Sequence, residues 1–146
     1  MINILIADDH KLFRDVVVPM LNSQPDMKVV GEAATGREAI KLNKELKPDL
    51  ILLDFGMPKV NGLQAMHNIL KDRPKTKIIF LTVFAESNLL VKAIRDGAKG
   101  YVIKDTHMSD LLDFIRGVEA GELAISPNMV NRLTDEYIHW PSSESD

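Results

Sequence analysis

The chain has 146 residues, a length that fits one domain with a buried core. Hydrophobic residues make up 45% of it and its formal net charge is −3, which argues against a general nucleic-acid binder. It has no cysteine, which excludes disulfides and thiolate metal sites, and no apolar run that could span a bilayer, so we expect a cytoplasmic protein without membrane contact.

Short apolar runs alternate with longer amphipathic segments along the chain. The apolar runs predict strands at 2–7, 28–33, 49–54, 77–82 and 100–104. The amphipathic segments predict helices near 11–23, 36–46, 62–73, 86–97 and 108–120. Most strand runs are continuously apolar, which is typical of a parallel sheet covered on both faces. The pattern therefore predicts an α/β fold, a flavodoxin-like doubly wound (βα)5 three-layer sandwich with parallel strand order 2-1-3-4-5.

Local signals mark several of the predicted helix ends. Thr35 and Glu38 have the spacing of a capping box, and Ser109 is predicted to be the N-cap of the last helix. Gly97 and Gly121 are predicted to be C-terminal stops.

The character of the sequence changes after residue 121. We predict one folded domain over residues 1–121. Residues 122–146 are predicted to hold one more helix, near 127–138, and then a linker rich in proline, serine and acidic residues. No helix-turn-helix motif follows residue 121.

Polar residues stand where the predicted strands end. Asp8 and Asp9 follow the first strand, Asp54 ends the third, Thr82 ends the fourth and Lys104 ends the fifth. Because the carboxyl ends of parallel strands meet at one edge, we expect these groups to converge on a pocket at the topological switch point between strands 1 and 3.

The residue types in this pocket predict metal and phosphoryl chemistry. Three close carboxylates repel one another and need a cation, and a ligand set of oxygen atoms alone favours Mg²⁺. A metal, a lysine and a hydroxyl are typical of sites that hold phosphoryl groups, and Asp54, at the centre of the sheet, is the best candidate acceptor. The four histidines lack ligand spacing, so we predict surface residues, with His10 packing at the start of the first helix.

Each of these residues also has a plain structural explanation. Asp9 could cap the first helix, Thr82 could be an ordinary strand residue, and Lys104 could be a surface lysine. Tyr101 could be a half-buried strand aromatic. Only their joint placement at one edge of one sheet favours a functional site.

Four segments, each at a strand end, carry a family resemblance: "ADDH", "LLDFGMPKVNG", "LTVF" and "GYVIKD". With them, residues 1–121 resemble a response-regulator receiver domain of bacterial two-component signalling. The segments "ADDHKLFR" and "GAKGYVIKD" further resemble the NarL/LuxR-type subfamily, which usually carries a C-terminal LuxR-type helix-turn-helix.

The resemblance implies a role for each acidic residue of the pocket. Asp54 would accept a phosphoryl group from a sensor histidine kinase or a small phosphodonor. Mg²⁺ would be bound by Asp9 directly, beside Asp54, with Asp8 helping mostly through water. Independently of the resemblance, glycine at position 56 lets the backbone approach closely, so the Gly56 carbonyl could serve as a further metal ligand.

The resemblance also implies a conformational switch. Thr82 and Lys104 would hold the phosphoryl group, and Tyr101 would swing inward as Thr82 moves toward it. This change would alter the surface around the fourth helix, the fifth strand and the fifth helix. Homodimerisation on phosphorylation would then be possible.

Several functions compete with this one. Paired aspartates after strand 1 would repel a flavin phosphate, and a phosphatase with an aspartate nucleophile would need a second aspartate where Gly56 stands. We therefore predict a signalling domain rather than an enzyme. The only reactions of this domain would be its phosphorylation from a donor and its own dephosphorylation. We expect it to control transcription through a LuxR-type DNA-binding output domain that is missing from this chain. The alternatives are a stand-alone receiver that acts by protein contact and a receiver that is never phosphorylated.

Overall fold

The computed structural model describes residues 1–83 and 87–126, which form a sheet between two layers of helices. The strands are β1 (Ile2–Ala7), β2 (Met27–Ala33), β3 (Leu50–Asp54), β4 (Lys77–Thr82), β5 (Gly100–Ile103) and β6 (Ala124–Ile125). The helices are α1 (Lys11–Asn22), α2 (Gly36–Leu46), α3 (Gly62–Asp72), α4 (Ser87–Arg95) and α5 (Met108–Glu119).

Every strand pair is parallel, and the sheet order is β2-β1-β3-β4-β5-β6. The predicted doubly wound α/β class and the order of the first five strands are confirmed. Strand β6 was not predicted, because a run of two residues carries no periodic signal. Backbone hydrogen bonds pair it with the edge of β5, and the Oγ of Ser126 also accepts from the backbone N–H of Ile103 at 3.0 Å.

Alternate residues of the strands face two separate cores. Ile4 and Ile6 lie in one core, with the buried faces of α1 and α5, whereas Leu5 and Ala7 lie in the other, with α2, α3 and α4. Both faces are therefore covered, which explains why the strand runs are apolar without alternation.

The predicted helix starts have mixed outcomes. Thr35 is the N-cap of α2 and its Oγ1 accepts from the backbone N–H of Glu38 at 3.1 Å, which confirms one half of the predicted capping box. The reciprocal half differs, because Glu38 Oε1 accepts from the backbone N–H of Ala34 at 3.2 Å rather than from that of Thr35. The prediction for Ser109 is wrong, because it lies inside α5 and His107 is the N-cap. The helix begins earlier since the His107 carbonyl already accepts from the N–H of Leu111 at 3.0 Å.

The two predicted helix stops are confirmed. Gly97 and Gly121 follow α4 and α5 with φ angles of 121° and 98°, a region that favours glycine. The helix predicted near 127–138 lies outside the described residues. Within the described ranges, no helix has the length and apolar character that crossing a membrane requires.

Candidate functional site

The predicted polar residues meet at the carboxyl edge of the sheet. Asp8 follows β1, Asp54 ends β3, Thr82 ends β4 and Lys104 follows β5. From this edge α1 leads to one face of the sheet and α3 to the other, which opens a crevice between β1 and β3. The structure therefore places the predicted residues at the switch point.

Asp54 is held at the floor of the crevice by the chain on both sides of it. The four aliphatic residues before it are fully buried, and its own side chain is 5% exposed. The backbone N–H of Gly56 donates to Asp54 Oδ1 at 3.1 Å. Gly62 packs so closely that a Cβ there would lie 2.6 Å from the carbonyl oxygen of Asp54, so only glycine lets α3 begin at this point.

Lys104 is shared between two buried carboxylates. Its Nζ lies 2.7 Å from Asp8 Oδ2 and 3.5 Å from Asp54 Oδ2, and its side chain is 10% exposed. The ammonium also lies 5.0 Å from the ring centroid of Phe13. One cation therefore compensates two buried negative charges, which leaves the cluster short of positive charge.

The pKa of Asp54 reflects this shortage of positive charge. Burial, and then the negative charge of Asp8, raise the pKa of Asp54 from 3.8 to about 6. A hydrogen bond with the Asp9 carboxyl, available only while Asp54 is protonated, adds to the rise. The Gly56 N–H and the Lys104 ammonium act in the opposite direction. Ionised Asp54 is thus stabilised by any further cation that enters the crevice.

Asp9 and His10 complete the cluster at its mouth. Asp9 is 34% exposed, and its Oδ1 lies 3.4 Å from Nδ1 of His10. His10 is exposed and is the N-cap residue of α1, as its predicted place at the start of that helix requires. However, its Nδ1 also lies 3.1 Å from Asp8 Oδ1. This contact was not predicted from the sequence, because the histidines show no ligand spacing. The only available signal was its position directly after the aspartate pair.

Thr82 and Tyr101 lie on neighbouring strands beside this cluster. Thr82 is 8% exposed, and its carbonyl accepts from the backbone N–H of Lys104 at 2.8 Å. Tyr101 is fully buried, and its ring packs edge-on against Phe55 and Phe80 at centroid distances of 5.9 and 6.4 Å. The tyrosine is therefore part of the core on the α3 and α4 side of the sheet, rather than half-buried.

The donor atoms fit a divalent cation. One ligand atom from each of Asp8, Asp9, His10 and Asp54 lies within 4.8 Å of all the others. Asp54 Oδ2 is buried and has no hydrogen-bond partner, so a cation would satisfy it. A Cβ added at Gly56 would contact only Asp54 Oδ1, at 4.0 Å, so there is space for a larger side chain at this position.

Comparison with known proteins identifies the family. The sequence-family model of the response regulator receiver domain matches residues 4–116. The chain belongs to this family. The response regulator protein VraR of Staphylococcus epidermidis is 38% identical over 132 residues, which are 90% of this chain and 63% of VraR. The chain thus spans less than two thirds of the length of the curated relatives it matches.

Solved structures agree with the family and its subfamily. A LuxR-family two-component response regulator from Aurantimonas sp. SI85-9A1 is 30% identical, with a TM-score of 0.89 over 94% of this chain and 99% of that one. A LuxR-family DNA-binding response regulator from Staphylococcus aureus is 27% identical, with a TM-score of 0.76 over 81% of this chain and 98% of that one. This receiver domain is therefore of the NarL/LuxR type.

Proposed function

We propose that Asp54 is the phosphoacceptor of this receiver domain. An oxygen of the carboxylate forms a P–O bond while the P–N bond of a phosphohistidine on a sensor histidine kinase breaks. The leaving imidazole nitrogen keeps the electron pair and takes a proton. The observation that carries the proposal is the position of Asp54 on the floor of the crevice, 5% exposed and 3.5 Å from the Lys104 ammonium.

Mg²⁺ is the proposed cofactor of this transfer. Asp9 and Asp54 would hold it directly, and Asp8 and the backbone carbonyl of Gly56 would complete the site. When bound, the metal would neutralise charge on the phosphoryl oxygens. The shortage of positive charge around Asp54, seen in its raised pKa, supports the need for such a cation.

The residues on β4 and β5 would bind the phosphoryl group and transmit its arrival. Lys104 Nζ would pair with a phosphoryl oxygen, and the Thr82 hydroxyl would donate a hydrogen bond to another. Tyr101, buried on β5 beside Phe80 of β4, would respond to a shift of Thr82 and so change the outer surface of α4, β5 and α5. The domain would act as a two-state switch rather than as a metabolic enzyme.

The output of this switch is proposed from the relatives. VraR and the LuxR-family regulators support transcriptional control by a LuxR-type DNA-binding domain outside residues 1–146. Phosphorylation would promote homodimerisation, which size-exclusion chromatography with and without acetyl phosphate would measure. A domain that stays monomeric when it is fully phosphorylated would contradict this part.

The test of the phosphoacceptor is intact-mass spectrometry after incubation with acetyl phosphate and Mg²⁺. Wild type should gain one phosphoryl adduct, and Asp54→Asn or a chelator should abolish it. Asp72→Asn is the matched control, because Asp72 is an exposed carboxylate at the far end of α3 and should leave the adduct intact. An adduct that persists in Asp54→Asn would disprove the assignment, and so would its absence from wild type with both acetyl phosphate and a phosphorylated kinase.

A further inference from the structure

The imidazole of His10 lies among the carboxylates of the site. Its Nδ1 is 3.1 Å from Asp8 Oδ1, 3.4 Å from Asp9 Oδ1 and 4.0 Å from Asp54 Oδ2. These are the separations of atoms that share one coordination sphere, and no other histidine among the described residues belongs to such a cluster.

The backbone, rather than the ring itself, fixes His10 in this position. The N–H of His10 donates to Asp8 Oδ1 at 2.8 Å, which closes a tight turn between β1 and α1. His10 is the N-cap residue of α1, but its side chain makes no hydrogen bond to the helix. A typical N-cap side chain accepts a hydrogen bond from a backbone N–H of the first turn. The ring is therefore not engaged by the helix, and its Nδ1 faces the carboxylates of the crevice.

Without a metal ion, the contacts of His10 Nδ1 conflict with one another. Lys104 Nζ is 2.9 Å from Nδ1, and because an ammonium only donates, Nδ1 must direct a lone pair toward it. The ionised carboxylates of Asp8 and Asp9 only accept, so against them the same nitrogen would need a proton. A metal ion among these atoms would use the lone pair and both carboxylates at once.

Asp54 gives an independent indication of a ligand at the same place. Its Oδ2 is buried, has no hydrogen-bond partner and faces Nδ1 of His10 across 4.0 Å. Lys104, 3.5 Å away, is shared with Asp8, so this buried oxygen is only partly compensated and a further cation would stabilise it. The two observations, one on an exposed ring and one on a buried carboxylate, point to the same position.

We propose that His10 Nδ1 is a metal ligand of this site and sets its metal preference. An imidazole nitrogen added to carboxylate oxygens shifts selectivity toward first-row transition metals, in the order Mn²⁺, Co²⁺, Ni²⁺. The site would still accept Mg²⁺ through its oxygen ligands. The proposal rests on the metal-binding part of the proposed function and is independent of phosphoryl transfer.

Isothermal titration of the untagged full chain with MgCl2 and CoCl2 tests this preference. In His10→Asn an amide oxygen replaces Nδ1, and asparagine is a good N-cap, so the fold should be preserved. His67→Asn is the matched control, because His67 is a half-exposed histidine that pairs with Asp96 away from the crevice.

Wild type should bind Co²⁺ more tightly than Mg²⁺. Residues that only hydrogen-bond to a metal ligand are already worth roughly 10–100-fold in metal affinity, so loss of a ligand in His10→Asn should weaken Co²⁺ binding about tenfold or more. It should change Mg²⁺ binding by less than about threefold, because an oxygen donor suits that ion. His67→Asn should bind both ions like wild type.

A second readout identifies the ligand atom. In long-range ¹H–¹⁵N spectra, Zn²⁺ should shift the Nδ1 resonance of His10 and leave that of His67 in place. Equal losses of Co²⁺ and Mg²⁺ affinity in His10→Asn, an unchanged Co²⁺ affinity, or a zinc shift confined to other histidines would each overturn the proposal. If any of these occurs while wild type still gains its phosphoryl adduct, the proposal fails and the phosphoacceptor assignment stands.

Discussion

Replacing Asp54 by asparagine should stabilise the domain at neutral pH when no divalent metal is present. The folded state raises the pKa of Asp54 from 3.8 to about 6, so ionising this carboxyl costs more in the folded chain than in the unfolded one. Asparagine keeps the shape of the side chain and removes the charge. The variant therefore lacks the cost that wild type bears.

The size and sign of this effect follow from the two pKa values. Below pH 3.8 the carboxyl is protonated in both states and costs nothing. Between pH 3.8 and about 6 the folded state holds the proton that the unfolded state has released, so the stability of wild type falls as the pH rises. Above about pH 6 the full cost is present, about 3 kcal/mol at 1.36 kcal/mol for each pH unit. Roughly half of it develops between pH 5 and pH 7.5.

Urea unfolding in the presence of a chelator, at pH 5 and at pH 7.5, measures the difference. The advantage of Asp54→Asn over wild type should grow by between about 1 and 2 kcal/mol across this interval. Asp72→Asn, which changes an exposed carboxylate, should show no such growth. Saturating Mg²⁺ should then stabilise wild type and not Asp54→Asn. An advantage that is the same at both pH values would show that ionising Asp54 does not cost the folded state stability, and would refute the reasoning.

Four further substitutions test local packing and backbone geometry in the fold. Gly62→Ala should destabilise the domain by about 1–3 kcal/mol in urea unfolding, because its Cβ would lie 2.6 Å from the backbone carbonyl oxygen of Asp54. Gly56→Ala is the control: its Cβ would have its nearest neighbour at 4.0 Å, so its stability should stay within about 0.5 kcal/mol of wild type. Ser126→Ala should cost about 1–3 kcal/mol and speed amide exchange at Ile103, whose buried N–H loses its acceptor; unchanged exchange there would show that Ser126 Oγ is not the acceptor of this N–H. Lys47→Gly should raise the melting temperature, because Lys47 ends α2 with φ 49°, where a side chain costs about 1–2 kcal/mol; a lower melting temperature would show that this strain is not relieved.

The sheet and the acidic part of the site follow from local features of the sequence. Continuously apolar runs such as Leu50–Leu53 identify strands covered on both faces, and a parallel sheet brings the residues after its strands to one edge. That reasoning places Asp8, Asp54, Thr82 and Lys104 together without knowledge of any distance. It depends only on the chain order of strands and on their shared direction.

The features that were not predicted depend on contacts between distant residues or on a single turn. Strand β6 pairs with β5 through bonds such as that from the Ala124 N–H to the Lys99 carbonyl, at 2.9 Å, and that from the Ile103 N–H to Ser126 Oγ, which spans 23 positions. No local pattern encodes such a pairing. The place of the His10 ring depends on the backbone turn that Asp8 closes, so a count of residues between histidines and carboxylates could not reveal it. Ser109 was misplaced because the hydrogen-bonded turn, rather than the residue type, decides where α5 begins.

The stability argument and the phosphorylation argument support each other through the same substitution. Asp54→Asn is the variant in which the phosphoryl adduct should disappear, and a lost adduct is ambiguous whenever the variant is less stable than wild type. For this substitution the reverse is expected near neutral pH when no divalent metal is present, because it removes a buried charge that Lys104 only partly compensates. An Asp54→Asn chain that is at least as stable as wild type and carries no adduct has therefore lost the acceptor itself, and not the fold that presents it.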